Sequence, residues 1–383
     1  MKRPYLLCGI PLLFSLLLVN SIGAPFSFIN ESMESVHAAG AVDTLQLNLA
    51  KSVFDGSNKY GLGLNTSESP DQMGRLGRNK QFQMYSSADW QRTIWIYTQN
   101  VLVSRDPAGL ENVLKGLELP FMHQLADGNF KFVALPSTTV SPEQQRSSVC
   151  VGGCYFFIAS FAASANALEQ SDWFQTAPEN APYRARLKAL KPKVLRSLNY
   201  LSSEPNLSTL RTGSIATNRL WMKALALYGG GKFADSLKHR QLGLEFANKA
   251  YSQFDPSTGI FLEYGGGDSS YQMISLINAT LFATQLPPND PFRAKILSAV
   301  VKGARWELTK ILPTGEVSTK DNTRVKPGGE SFLGTQKTVS IPDVVRGLAY
   351  AGALSGDLRF WEASQRVAIW DKTQRAKAKA MKN

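Results

Sequence analysis

The sequence predicts an all-α protein whose helices pair into hairpins and close as an α/α toroid. Three observations predict it. Apolar residues recur with helical period in ten separate segments. The links between them repeat one design. The helices that follow the long links are short and rich in small residues, whereas those that precede them are longer and more charged. Repeated hairpins stack as a solenoid or close as a ring, and short inner helices with longer outer ones favour a closed or incomplete double ring of roughly five to six hairpins.

In chain order, the sequence opens Met1-Lys2-Arg3, and Leu6 to Val19 is then apolar apart from Ser15. A short basic start, a brief Pro-interrupted apolar run and small residues beyond it describe a secretory signal. Residues 1–41 are therefore expected to be a signal peptide and processed N-terminal segment, cleaved between 23 and 41, the alternative being an uncleaved membrane anchor. The protein is expected to be secreted, extracellular or periplasmic, with no stable membrane insertion after cleavage. No later stretch reads as a second span. The helices are expected at Ala88–Val103, Gly109–Leu125, Cys154–Leu168, Tyr183–Leu201, Thr217–Tyr228, Ser236–Phe254, Ser270–Gln285, Pro291–Leu312, Pro342–Leu354 and Leu358–Trp370. These form one toroid domain, 42–371, followed by a basic tail, 372–383.

The repeated link is clearest after Phe121, Phe254 and Leu312. Each time a helix stops at an Asp/Pro/Gly turn, a short extended stretch follows, and a polar loop leads to the next helix. Gly259 and Gly315 are 56 residues apart, the length of two helices and two connections. Cys8 leaves with the signal, so the remaining thiols are Cys150 and Cys154 in Cys-Val-Gly-Gly-Cys. In an oxidising compartment they are expected to pair, the two glycines supplying the dihedrals of a tight loop. They offer too few ligands for a metal.

In a ring, all outer-to-inner links lie at one end, and here those are the long, Gly-rich ones. One rim thus gathers His123, the Cys150–Cys154 loop with Tyr155, Asn218, Arg219, Glu263, Tyr264, Asp268, Tyr271, Gln272, Asp321, Arg324 and Glu330. Asp268 or Ser269 suits a helix cap, and Asn218 a cap or loop brace. Arg219, a charge opening an inner helix, wants a carboxylate, either Glu263 or one on a substrate. The formal charge of +12, or +10 without Lys2 and Arg3, favours an anionic partner. The basic residues form no dense stripe with aromatics, and export weighs against nucleic acid, so an anionic polysaccharide or oligosaccharide is the expected partner. There is no serine-hydrolase elbow, zinc-protease pattern, phosphate loop or dinucleotide fingerprint, and no cofactor is called for.

The link "turn-Gly-x-Phe-x-Glu", then Gly267-Asp268-Ser-Ser-Tyr271-Gln272 opening a helix, resembles the α/α-toroid carbohydrate-active enzymes: toroidal polysaccharide lyases of the alginate and chondroitin type and six-hairpin glycosidases. The resemblance implies proton abstraction at C5 of a uronic acid. Asn218 and Arg219 would neutralise its carboxylate, Tyr271 or Tyr264 would exchange protons, and His123 would assist. Glu263, Asp268, Gln272 and Arg324 would line the substrate groove. Arg219 stands where the alginate-lyase pattern has a His. The alternatives are a glycoside hydrolase on the same ring, which needs two carboxylates about 6.5–9.5 Å apart if inverting, and a non-catalytic glycan-binding protein.

Overall fold

The computed structural model describes residues 43–381 except 67, 137–140, 214–215 and 333, together with all but the side chains of 144 and 147–150 within one helix. The expected signal segment lies outside the described residues. The described chain is helical, with two pairs of two-residue strands. In order it runs α1 Leu45–Tyr60, α2 Gly77–Gln81, a 3-10 turn Ala88–Gln91, α3 Ile94–Ser104, α4 Pro107–Met122, α5 Pro142–Gln170, α6 Asp172–Thr176, α7 Ala181–Ala189, α8 Lys191–Ser202 and α9 Asn206–Thr212. It continues with α10 Thr217–Phe233, α11 Leu237–Tyr251, β1 Phe254–Asp255, β2 Ile260–Phe261, α12 Ser269–Ala283, α13 Pro291–Leu308, β3 Ser331–Phe332, β4 Thr335–Gln336, α14 Ile341–Ser355 and α15 Leu358–Ala380.

Local chemistry sets many of these boundaries. Asp106, Asp290 and Asp357 each accept a backbone N–H in the first turn of the helix that follows, and Pro107 and Pro291 supply a pre-set first residue. The repeated link is a repeated structure. Gln124 bridges Phe130, β1 pairs antiparallel with β2, and Ile311 bridges Val317. At each turn a glycine takes positive φ: Gly128 at 96°, Gly259 at 84° and Gly315 at 90°. Each also lies against a carbonyl of a neighbouring helix, that of Arg196 on α8, Lys302 on α13 and Arg366 on α15. A side chain there would meet both a forbidden dihedral and a backbone oxygen, so glycine is required twice over.

The helices pack as antiparallel partners, α3 with α4, α10 with α11, α12 with α13 and α14 with α15. A second set of neighbours is α1 on α3 and α14, α3 on α5, α5 on α10, α10 on α12, and α12 on α14. The small-residue helices are the buried ones. Fourteen of the fifteen residues of α12 are buried, against seven of eighteen in its partner α13. Trp95 of α3, Ser160 of α5, Met222 of α10 and Asn278 of α12 line a common void of about 10 Å³.

The structure departs from the expected helices in two places, α5 and α1. Helix α5 begins at Pro142, twelve residues before its expected start, and runs straight through Gly152-Gly153. Those glycines cost about 1 kcal/mol each in a helix, which burial of Val151, Cys154, Phe157 and Ile158 offsets. The expected Cys150–Cys154 disulfide loop is therefore corrected. Positions four apart on a helix hold their Cβ atoms about 5–6 Å apart, beyond the ~3.8 Å a disulfide needs. Cys154 is a free, buried thiol whose pKa burial pushes up, and the Cys150 side chain lies outside those described. Val151–Gln170 is also long and apolar enough to cross a membrane, contrary to the expectation of no such stretch, but it is a buried helix of this fold. Finally, α1, Leu45–Tyr60, is not among the ten expected helices. Gln46 ties it to the interior by donating to the Ala163 carbonyl and accepting from Asn166.

On α13, Glu307 is fully buried, and neither carboxyl oxygen finds a hydrogen-bond partner among the described residues. Burial, helped by the charge of Asp268, pushes its pKa well above the usual value of 4.5. The folded state therefore holds this proton more tightly than the unfolded chain. Its contribution to stability is complete below about pH 4.5 and is lost as pH rises towards the raised pKa. Glu307→Met is expected to be more stable than the parent at pH 8 by about 1–3 kcal/mol, the cost of one unsatisfied buried polar group. The gain should shrink towards pH 5. Urea melts at both pH values check it, and a destabilised variant at pH 8 would show an unseen partner for the carboxyl.

Candidate functional site

The site is assembled at the first turns of α10 and α12, with the 262–268 link between them and the 318–340 loop folded over it. The three consecutive glycines let that link turn sharply. Tyr264 sits at φ 54°, half-exposed, followed by Gly265 at 85°, and Glu263 bridges back to Gly266. The turn drives Glu263 inward and leaves the Tyr264 ring outside.

Asp268 caps α12, as its place before Ser-Ser-Tyr suggested. One carboxylate oxygen accepts from the N–H groups of Ser270 and Tyr271, at 3.1 and 3.0 Å. The other accepts from those of Arg324 and Val325, at 2.9 and 2.7 Å. Both oxygens of this buried carboxylate thus pin the 318–340 loop to the helix. Gln272 is a second brace: its Oε1 accepts the Phe261 N–H at 2.9 Å and its Nε2 donates to the Gly259 carbonyl at 3.0 Å.

Held in this way, Arg324 is the hub. Its Nη1 donates to Glu263 Oε2 at 2.8 Å and to Asn218 Oδ1 at 3.3 Å, and its Nη2 lies 3.0 Å from Glu330 Oε2. The guanidinium lies 3.6 Å from the centroid of the Tyr271 ring and 5.2 Å from that of Tyr264. Glu263 is wholly buried, and its Oε1 accepts the Asn218 N–H at 2.8 Å. Burial pushes Glu263 up to about 7, against the pull of Arg324 and the Asn218 N–H. Because Arg324 can only donate, it fixes the Asn218 amide with Oδ1 inward, leaving Nδ2 as a donor.

The Tyr271 hydroxyl donates to Glu330 Oε2 at 2.8 Å and accepts from Lys337 Nζ at 2.6 Å, and Lys337 also donates to Glu330 Oε1 at 3.0 Å. Burial raises the phenol's pKa, against the pull of Arg324, so the resting hydroxyl is protonated at neutral pH. Burial alone would push Glu330 up, but the Lys337 bond and the Arg324 charge hold it below the usual carboxylate value. Burial lowers Lys337, opposed by Glu330 and assisted by Arg324 and Arg219. Lys337 and Glu330 are each about a quarter exposed, so the cluster reaches solvent there.

The structure thus joins Asn218, Glu263, Tyr264, Tyr271, Arg324 and Glu330, all named from sequence, with Asp268 and Gln272 as their supports. Glu263 is taken by Arg324 rather than Arg219. Arg219 is half-buried, and its side chain makes no hydrogen bond or ion pair with any described residue. Its charge still acts on Tyr271 and Lys337. His123 stands apart: it stacks on Tyr85 at 3.8 Å, and no described hydrogen bond joins it to Tyr271 or Asn218. Lys337 was missed, because a lysine in an irregular loop carries no periodic or motif signal. Among the described residues no group of three or more His, Cys, Asp or Glu is placed to hold a metal ion.

In chemical terms the cluster sets a free guanidinium, an amide donor and a phenol with a cation and a carboxylate at its hydroxyl beside one another. Compared with protein-family models and with curated protein sequences, the chain matches none.

Proposed function

We propose that this chain is a secreted enzyme that cleaves a uronic-acid-containing polysaccharide by β-elimination, on the rim of an α/α toroid. The toroid reading is supported by the second set of helix neighbours, α1–α3–α5–α10–α12–α14 and back to α1. Four of those six helices also line one small common void.

The observation that carries the reaction is the Tyr271 hydroxyl held between Lys337 and Glu330 with the Arg324 guanidinium over its ring. A C5 proton becomes acidic only when donors hold the neighbouring carboxylate and stabilise the developing enediolate. Arg219 and the Asn218 Nδ2 supply those donors. The phenolic proton shifts to Glu330 only as the C5 proton is drawn off, while Lys337 and Arg324 stabilise the transient phenolate, and Glu330 gives the proton back to the phenolate once the leaving oxygen has been protonated. The phenolate removes the C5 proton, the C4–O bond breaks as the double bond forms, and the proton returns from Tyr271 to the leaving oxygen.

The hydrolase alternative is weaker because two carboxylates on this rim are already committed. Asp268 is spent on backbone N–H groups, and Glu263 is buried against Arg324. Purified protein should be offered polymannuronate, polygalacturonate and chondroitin, with ultraviolet absorbance of the unsaturated product and reducing ends read in parallel. Absorbance supports the lyase. Reducing ends without absorbance would select a hydrolase, and retention on the polymer with neither signal a binding protein.

Arg219→Lys keeps the charge but loses the fork that grips a carboxylate in two places. It is expected to raise KM for the polyuronate about tenfold while leaving the melting temperature unchanged, since the Arg219 side chain makes no hydrogen bond or ion pair among the described residues. Unaltered KM and kcat would remove Arg219 from the site.

A further inference from the structure

A groove of about 500 Å³ lies between residues 316–342 and the C-terminal half of α15. Val317, Val325 and Val339 form one wall, and Trp370 and Arg375 of α15 the other. Lys337 belongs both to this groove and to the Tyr271–Glu330 cluster, so groove and site are contiguous.

The helix that forms the far wall does not stop where the core does. Its last fully buried residue is Val367, yet α15 continues to Ala380, and residues 372–381 are exposed. After Asp371, which pairs with Arg375 at 2.8 Å, this end carries Lys372, Lys377 and Lys379 and no further acid. None of the three lysines pairs with a carboxylate among the described residues. Arg375 lines the groove, and Lys379 follows it one turn later on the same face. Alanines at 376, 378 and 380 keep the overhang helical without tertiary support.

We propose that this groove and the basic end of α15 form a second subsite for the acidic polysaccharide, holding the chain as it leaves the Tyr271 site; the inference rests on the function proposed above. The volume falls within the range of about 300–1,000 Å³ typical of ligand clefts. Its chemistry, an apolar wall with Trp370 beside Lys326, Lys337 and Arg375, suits a sugar face flanked by carboxylates. Glu316 and Asp371 also line the groove, and Arg375 neutralises the latter. The overhang beyond Trp370 offers only alanine and threonine methyls before Met381, so it has no apolar face with which to enter a bilayer.

The test compares the full-length protein with a K372Q/R375Q/K377Q/K379Q variant in affinity electrophoresis through polymannuronate and polygalacturonate, with dextran as the neutral control. Vesicles containing phosphatidylglycerol are run in parallel. The expected result is polyuronate binding by the parent, binding at least about tenfold weaker in the variant at low salt, and a shallower salt dependence. Melting temperatures should coincide, because none of the four side chains is packed in the core. Equal binding by both proteins would overturn the subsite and leave the proposed function standing. A parent that binds neither polyuronate would overturn both. Binding to vesicles but not to polymer, lost in the variant, would reassign the basic end to a lipid surface.

Discussion

Replacement of Arg324 by methionine is expected to cost about 3–5 kcal/mol of stability at pH 8, the penalty for leaving a buried ion without its partner. Glu263 would keep the Asn218 N–H and lose the only cation bonded to it among the described residues, and Asn218 Oδ1 and Glu330 would lose a donor in the same step. The cost should depend on pH in a defined direction. Burial already lifts Glu263 to about 7 with the guanidinium present, and removing that charge raises it further. A folded-state pKa above the unfolded value of 4.5 makes stability fall as pH rises, so the variant should lose stability more steeply than the parent between about pH 5 and 8. Adding Glu263→Gln, which removes the charge that Arg324 compensates, should recover a large part of the loss and flatten the slope. Urea melts of the four proteins at pH 5 and 8 complete the cycle. An Arg324→Met protein as stable as the parent at pH 8 would show that the ion pair is not what holds the link against the loop.

The second large effect is on turnover. Tyr271→Phe removes one hydroxyl and leaves Lys337 and Glu330 bonded to each other at 3.0 Å, so the site keeps its shape. Stability should change by no more than about 1–1.5 kcal/mol, the net worth of an ordinary hydrogen bond. Turnover of the polyuronate that the parent cleaves should fall by roughly a hundredfold or more, as it does when a general acid or base is lost. Thermal melts and initial rates on the same preparations separate this from a packing role, in which activity would fall only with the amount of folded protein. Undiminished turnover would exclude Tyr271 from proton transfer and return Tyr264 and His123 as candidates.

Much of the scaffold was legible because its causes are local. Helical period marks α10, α12 and α14 to within a few residues, and the Asp and Pro at the starts of α4, α13 and α15 act within one turn. The glycines at 128, 259 and 315 announce a repeated turn because only glycine meets both its dihedral and its clearance. The rim residues were legible for the same reason, since Asn218, Glu263, Asp268 and Tyr271 all lie in links or first turns that sequence alone delimits. What the tertiary structure decided is who meets whom. Glu263 had two arginines within plausible reach, and the choice of Arg324 depends on Asp268 fastening a loop 56 residues further along the chain to the start of α12. Lys337 joins Tyr271 only because that loop folds back, and residues 142–153 are helical only because their apolar side chains find a core to enter. Caps and turns are satisfied within a few residues, so sequence determines them. An ion pair across 61 residues gains its energy only after the chain is folded and water is excluded, so its partner is chosen by the fold.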